Sequence, residues 1–137
     1  MRFNHQPTVY GSRQAKGGYR SDIGLYVRSS WEANFARYLN YMKDEGNVYR
    51  WRYEPEVFIF HRVKKGTRAY VPDFKVWDYE GARPNYYEIK GYMDAKSKIK
   101  LKRMSLYYPE IDIEIIDSET YKKINRWARD RIAHWEE

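Results

Sequence analysis

Two strand-like runs around a single turn constrain this chain most. Residues 69–77 (AYVPDFKVW) and 85–91 (NYYEIKG) are rich in β-branched and aromatic residues, and the stretch between them, DYEGARP, carries the Gly and Pro of a turn. The reading is an antiparallel hairpin, and it places Asp73, Glu88 and Lys90 inside a sheet. A hairpin needs none of these charges for its stability.

The rest of the chain wraps this hairpin in helices. SSWEANFARYLNYMKDEG (29–46) has Ser29 or Ser30 as N-cap, Gly46 as its stop, and Trp31, Phe35, Leu39 and Met42 on one stripe. VYRWRYEPEVFIF (48–60) reads as one or two strands broken near Pro55. DAKSKIKLKRMSLYY (94–108) is a basic helix ending near Pro109, IDIEII a short alternating strand, and residues 118–136 a final amphipathic helix. This order predicts an α/β domain, a mixed β-sheet flanked by helices, over residues 29–137.

Residues 1–28 differ in kind. They hold five glycines and prolines, no apolar period, and Arg2, Arg13, Lys16, Arg20 and Arg28 against the one acid Asp22, so they read as a basic, flexible N-terminal arm. The whole chain has 137 residues and net charge +7, a balance that favours polyanions, nucleic acid first among them. An aromatic content of 18% adds rings able to stack on unpaired bases, although most would serve a core. The absence of cysteine removes disulfide scaffolds, thiol nucleophiles and cysteine–zinc sites. With no apolar run near a membrane span and no apolar leader, the expectation is a cytoplasmic, intracellular protein without membrane contact.

A turn centred near residues 80 and 81 sets Asp73 directly opposite Glu88, with Cβ atoms roughly 4.5–5.5 Å apart, and puts Lys90 on the face of Glu88 about 7 Å along. Opposed carboxylates repel, and a divalent cation removes the conflict: Mg²⁺ takes hard oxygen ligands, often one or two carboxylates plus substrate phosphate. The Ile89 carbonyl could add an oxygen, Glu32 could complete a second metal position, and Lys90 could hold or deprotonate an attacking water. The competing reading is equally simple. Acid–x–Lys alternation is ordinary on exposed strands, cross-strand lysines can neutralise both acids, and Glu32 is favoured in a first helical turn by the helix dipole.

The ordered set RSSWE, YVPDF, YEIKGY, a Lys-rich helix and YPEIDIEII resembles the PD-(D/E)xK nuclease superfamily, in particular Holliday-junction resolvases of the phage endonuclease I type. The likeness spans residues 28–117, roughly two thirds of the chain. It implies a restriction-endonuclease-like core with catalytic Glu32, Asp73, Glu88 and Lys90, and with metal held by Asp73, Glu88, Ile89 and Glu32. It further implies Mg²⁺ or Mn²⁺, two per active site, and a homodimer making paired nicks in four-way or other branched DNA. If phage-encoded, the protein works in the infected host cell. In such interwoven dimers Glu32 could act across the subunits.

Basic residues fit a DNA substrate. Lys96, Lys100 and Arg103 share one helical face, flanked by Lys98 and Lys102, and Lys64 and Lys65 lie in a basic turn with Arg62 and Arg68. Arg13, Lys16, Arg20 and Arg28 would add contacts from the arm. Tyr121, Ile124, Trp127, Ala128 and Trp135 read as core or dimer interface, and His5, His61 and His134 have no partner at ligand spacing. Three other functions stay open: a sequence-specific or transposase-like endonuclease of the same fold, a non-catalytic nucleic-acid-binding module with structural acids, and an RNA-directed nuclease.

Overall fold

The computed structural model describes residues 16–137. It begins with a short antiparallel hairpin, β1 (Gly18–Arg20) and β2 (Leu25–Val27), with Tyr19 opposite Tyr26. The arm expected over residues 1–28 is thus a hairpin in its second half, because Asp22 in the turn takes both Nε and Nη2 of the buried Arg37 at 2.7 and 3.0 Å. Arg13 and His5 fall outside the described residues.

Helix α1 (Ser30–Asp44) starts at Ser29, whose Oγ accepts the Glu32 N–H at 3.1 Å, and stops before Gly46, whose φ of +84° favours a residue without Cβ. Its first two turns are buried nearly all round, including Glu32, Asn34 and Arg37. Amphipathic spacing alone did not anticipate those polar burials.

Strand β3 (Arg50–Tyr53) is followed by β4 (Phe58–Ile59), with Glu54 at positive φ and Pro55 between them. The run 69–77 divides into β5 (Ala69–Tyr70) and β6 (Phe74–Trp77), because Pro72 has no N–H to give a ladder. β6 returns as β7 (Asn85–Ile89), with Phe74 facing Tyr87 and Val76 facing Asn85. That register, extended one residue, sets Asp73 opposite Glu88, as the turn position predicts. Helix α2 (Ala95–Tyr107), capped by Asp94, crosses over to β8 (Ile113–Ile116), which lies parallel to β7. The main sheet has the order β3-β6-β7-β8, mixed as expected, with β4 and β5 paired beside it.

Alternation along these strands builds two cores. Phe74 and Val76, joined by Ile116, meet Trp31, Phe35, Ala36 and Leu39 of α1, together with Tyr121 of α3 (Ser118–Ala128). Tyr86 points the other way and packs with Phe58, Phe60, Tyr70 and Met104 of α2. Burying each such large apolar side chain stabilises the fold by about 1.5–3 kcal/mol.

The last helix is shorter than the sequence suggests, ending at Ala128 rather than near 136. Ala128 O accepts both the Arg131 and Ile132 N–H groups at 2.8 Å, and the chain turns back. Trp135 then donates its indole N–H to Asn125 Oδ1 at 2.6 Å, and the Glu136 N–H reaches Asn34 Oδ1 at 3.0 Å. These bonds offset the positive φ of His134 and Glu136. Among the described residues, no helix is long and apolar enough to cross a membrane.

Candidate active site

Three elements bring carboxylates towards one place. Asp73 stands just before β6, Glu88 near the end of β7, and Glu32 in the first turn of α1. Asp73 is 4% and Glu32 8% exposed, a depth that ionised carboxylates occupy only with a reason.

Each carboxylate is held by a specific donor. Asp73 Oδ2 accepts the Ile89 N–H at 2.7 Å. Glu88 Oε1 accepts the Tyr70 hydroxyl at 2.8 Å, and Glu32 Oε1 accepts the Tyr53 hydroxyl at 2.7 Å and the Arg28 N–H at 3.1 Å. Lys90 Nζ lies 3.7 Å from Glu88 Oε2. Glu32 therefore does more than favour the helix dipole: its side chain reaches back to Arg28, just past β2, and across to Tyr53 of β3.

The electrostatics identify a strained cluster. Burial, then the Glu88 and Glu32 charges, pushes the Asp73 carboxyl well above the usual range, against the pull of the Ile89 N–H and Arg28. Burial also raises Glu88, with Glu32 adding to it, while the Tyr70 hydroxyl, Lys90 and Lys100 pull it down. The Tyr70 and Tyr53 hydroxyls titrate far above the ordinary tyrosine range, through burial and the carboxylates they serve. Desolvated like charges that raise one another's pKa are a common signature of functional sites.

Asp73 and Glu88 offer oxygen donors to a hard cation and carry mutual repulsion that a cation relieves. Ile89 stands between Glu88 and Lys90 and would offer its carbonyl. Among the described residues no three acidic or histidine side chains form a ready-made metal cage. A site of this kind would leave positions for water and phosphate oxygens, as Mg²⁺ commonly requires. A cavity of about 20 Å³, walled by Tyr70, Glu88, Lys90, Ser97 and Lys100 among others, has polar sides and room for one water.

The basic residues fall into distinct groups. Lys96, Lys100 and Arg103 line an open groove of about 700 Å³ between α2 and the turn at 66–69, with Arg68 on its far side. Arg103 is anchored there by Thr67 O. Lys98 and Lys102 are exposed on α2 away from the groove lining, and Lys64 and Lys65 are exposed in the basic turn. Arg28 is exposed and paired with Glu54. Lys16 is exposed, whereas all three Arg20 nitrogens bond backbone carbonyls, those of Glu137, Gly18 and Lys16. Arg20 is thereby occupied in fastening the β1–β2 hairpin to Glu137.

Sequence reading passed over Tyr53 and Tyr70. Their hydroxyls are recognisable only once the strands are placed, since aromatic residues in strands ordinarily signal nothing beyond packing. Trp127, read as core or interface, meets Tyr38 and Tyr41 edge-on with ring centroids 5.9 and 5.3 Å apart. Trp135 is buried in the same chain. No family model, curated protein or solved structure matches this chain.

Proposed function

We propose that this protein is a metal-dependent, structure-selective DNA endonuclease of the PD-(D/E)xK type, a homodimer resolving four-way or other branched DNA. The observation that carries the reading is the pairing of Asp73 and Glu88 across the hairpin. Both carboxyls are raised above their ordinary range, and Lys90 stands 3.7 Å from Glu88. A fold gains nothing from burying two opposed acids, whereas a site that binds a cation needs them.

Asp73 and Glu88, with the Ile89 carbonyl, would hold Mg²⁺ or Mn²⁺, and Glu32 would serve a second position. A bound divalent cation supplies a lowered pKa for water and neutralises charge on the phosphate. Lys90 orients the attacking water and accepts or offsets charge beside it. The water gives up a proton to solvent as its oxygen bonds to phosphorus, the bond from phosphorus to the 3′-oxygen breaks, and that oxygen takes up a proton, leaving a 5′-phosphate and a 3′-hydroxyl. Lys96, Lys100, Arg103 and Arg68 would lead the phosphate backbone along the groove to Glu88 and Lys90.

The test is cleavage of a labelled four-way junction, a linear duplex of the same sequence and a single strand, each with Mg²⁺ or EDTA. Paired, Mg²⁺-dependent nicks in the junction are expected, with Lys90→Ala slower by about 10²–10⁴ and Glu88→Gln inactive. Equal cutting of linear duplex would move the reading to a general or sequence-directed nuclease. Binding without cutting of any substrate would leave a DNA-binding module.

A further inference from the structure

The β1–β2 hairpin carries two rings that the fold does not use. Tyr19 and Tyr26 face each other across the strands with ring centroids 5.3 Å apart, yet they are 55% and 75% exposed. On the opposite face Val27 is buried and Leu25 half-buried. The hairpin thus has a docked side and an aromatic side, and apolar burial accounts only for the first.

Position gives the outer side a meaning. Tyr26 is exposed and Val27 buried at the end of β2, and Arg28 follows directly, exposed, with its guanidinium turned to Glu54. The Arg28 N–H bonds Glu32 Oε1, so the strand that carries Tyr26 leads, two residues on, to one of the three carboxylates. Among the described residues, the surroundings of the aromatic face leave one free positive charge: Lys16 is exposed, the Arg28 guanidinium is paired with Glu54, and Asp22 of the hairpin is held at both oxygens by Arg37.

We infer that the Tyr19–Tyr26 face is a stacking platform for unpaired or unstacked bases beside the scissile phosphate, with the exposed Lys16 holding a flanking phosphate. Single-strand-binding proteins combine these parts, a positive track and exposed rings, because every base has a π-face and every link a charge. The consequence is selectivity for DNA that is opened at the cleavage point over continuous duplex. The inference rests on the nuclease reading for the identity of the strand.

The test reads binding in EDTA, so it stands apart from cutting. Wild-type protein is titrated with a labelled duplex containing a short unpaired bulge and with its fully paired counterpart, beside a Tyr19→Leu/Tyr26→Leu variant and a Tyr19→Phe/Tyr26→Phe variant. Leucine keeps strand-compatible bulk without a ring, and phenylalanine keeps the ring without its hydroxyl. Wild type and the Phe variant are expected to prefer the bulged duplex. The Leu variant should lose on the order of tenfold on that substrate and less than twofold on the paired one. Equal losses on both substrates, equal behaviour of the Leu and Phe variants, or no preference in wild type would overturn the inference. So would a wild-type dimer that the Leu pair converts to monomer in sedimentation, which would make the rings a subunit contact. Absence of cutting in Mg²⁺ with the bulge preference intact would instead remove the nuclease reading and leave a binding platform.

Discussion

Asp73 Oδ2 accepts the Ile89 N–H at 2.7 Å across a hairpin whose register turns Asp73 towards Glu88. The bond holds in place a carboxyl that burial and two neighbouring acids oppose as an anion. Asp73→Asn should therefore separate function from stability. Cutting is expected to disappear, while the metal-free protein gains roughly 3–6 °C in Tm, the shift that about 1 kcal/mol produces in a domain of this size. Differential scanning calorimetry in EDTA checks it, and an unchanged or lower Tm would mean that the acid cluster costs the fold nothing.

The same relationship fixes a pH dependence. The folded-state pKa values of Asp73 and Glu88 lie above the unfolded ones, so the folded protein holds protons that the unfolded chain has released. Metal-free stability should then fall as pH rises from the ordinary carboxylate range through the raised values, opposite in sign to a salt-bridged acid. Urea midpoints at a series of pH values in EDTA measure this. The slope should flatten in Asp73→Asn, and a wild-type midpoint that climbs over the same window would contradict it.

Tyr70 acts on the chemistry through Glu88 and is a positioning residue. Its hydroxyl pulls the Glu88 pKa down, so Tyr70→Phe lets that pKa rise further. If ionised Glu88 is needed for cation binding and cutting, the acid limb of the pH–rate profile moves to higher pH. Metal affinity should drop by about 10–100-fold, the usual effect of losing a partner that orients a ligand. Isothermal titration with Mn²⁺ at two pH values tests this. A uniform loss at both, with the profile unmoved, would assign Tyr70 to packing alone.

How much of this could be read beforehand follows from the range of each interaction. The hairpin register was legible because a turn's position sets pairing one residue at a time, and the caps at Ser29 and the stop at Gly46 are local chemistry. Glu32, Asp73, Glu88 and Lys90 were recognisable as a pattern, but their burial and their tyrosine partners were not. Tyr53 and Tyr70 reach the carboxylates through the sheet, over 21 and 18 residues of chain. The shortened last helix was hidden for the same reason: Ala128 to Trp135 keeps helical spacing, and the return turn is held in part by the distant Asn34 and Arg20, beside the Trp135–Asn125 bond.

The groove beside α2 yields a prediction that separates two neighbouring lysines. Lys96 and Lys100 both line it, and Lys100 also lines the small cavity with Glu88 and lowers its pKa. Lys96→Ala should weaken DNA binding and lower the slope of log K against log salt by about 0.9, one phosphate contact, leaving the pH profile in place. Lys100→Ala should do the same and also shift the acid limb upwards. Anisotropy titrations across a salt series, run beside pH–rate curves, distinguish the two. Matching pH profiles would detach the groove from the carboxylates.

Asn34 lies two residues from Glu32 on the same helix and is fully buried, yet its work is structural. Its Nδ2 donates to the Tyr121 hydroxyl at 2.8 Å, and its Oδ1 accepts from Arg37 at 2.9 Å and from the Glu136 N–H at 3.0 Å. One side chain thus joins α1, α3 and the carboxy-terminal turn. Asn34→Ala removes three hydrogen bonds, those with the Arg37 guanidinium, the Tyr121 hydroxyl and the Glu136 N–H, at a cost of about 3 kcal/mol. Urea unfolding should register that loss, while Mg²⁺-dependent cutting per folded molecule stays within about twofold of wild type. A large fall in cutting with stability intact would place Asn34 in the site rather than behind it. It would also mean that the geometry of Glu32 depends on the carboxy-terminal turn.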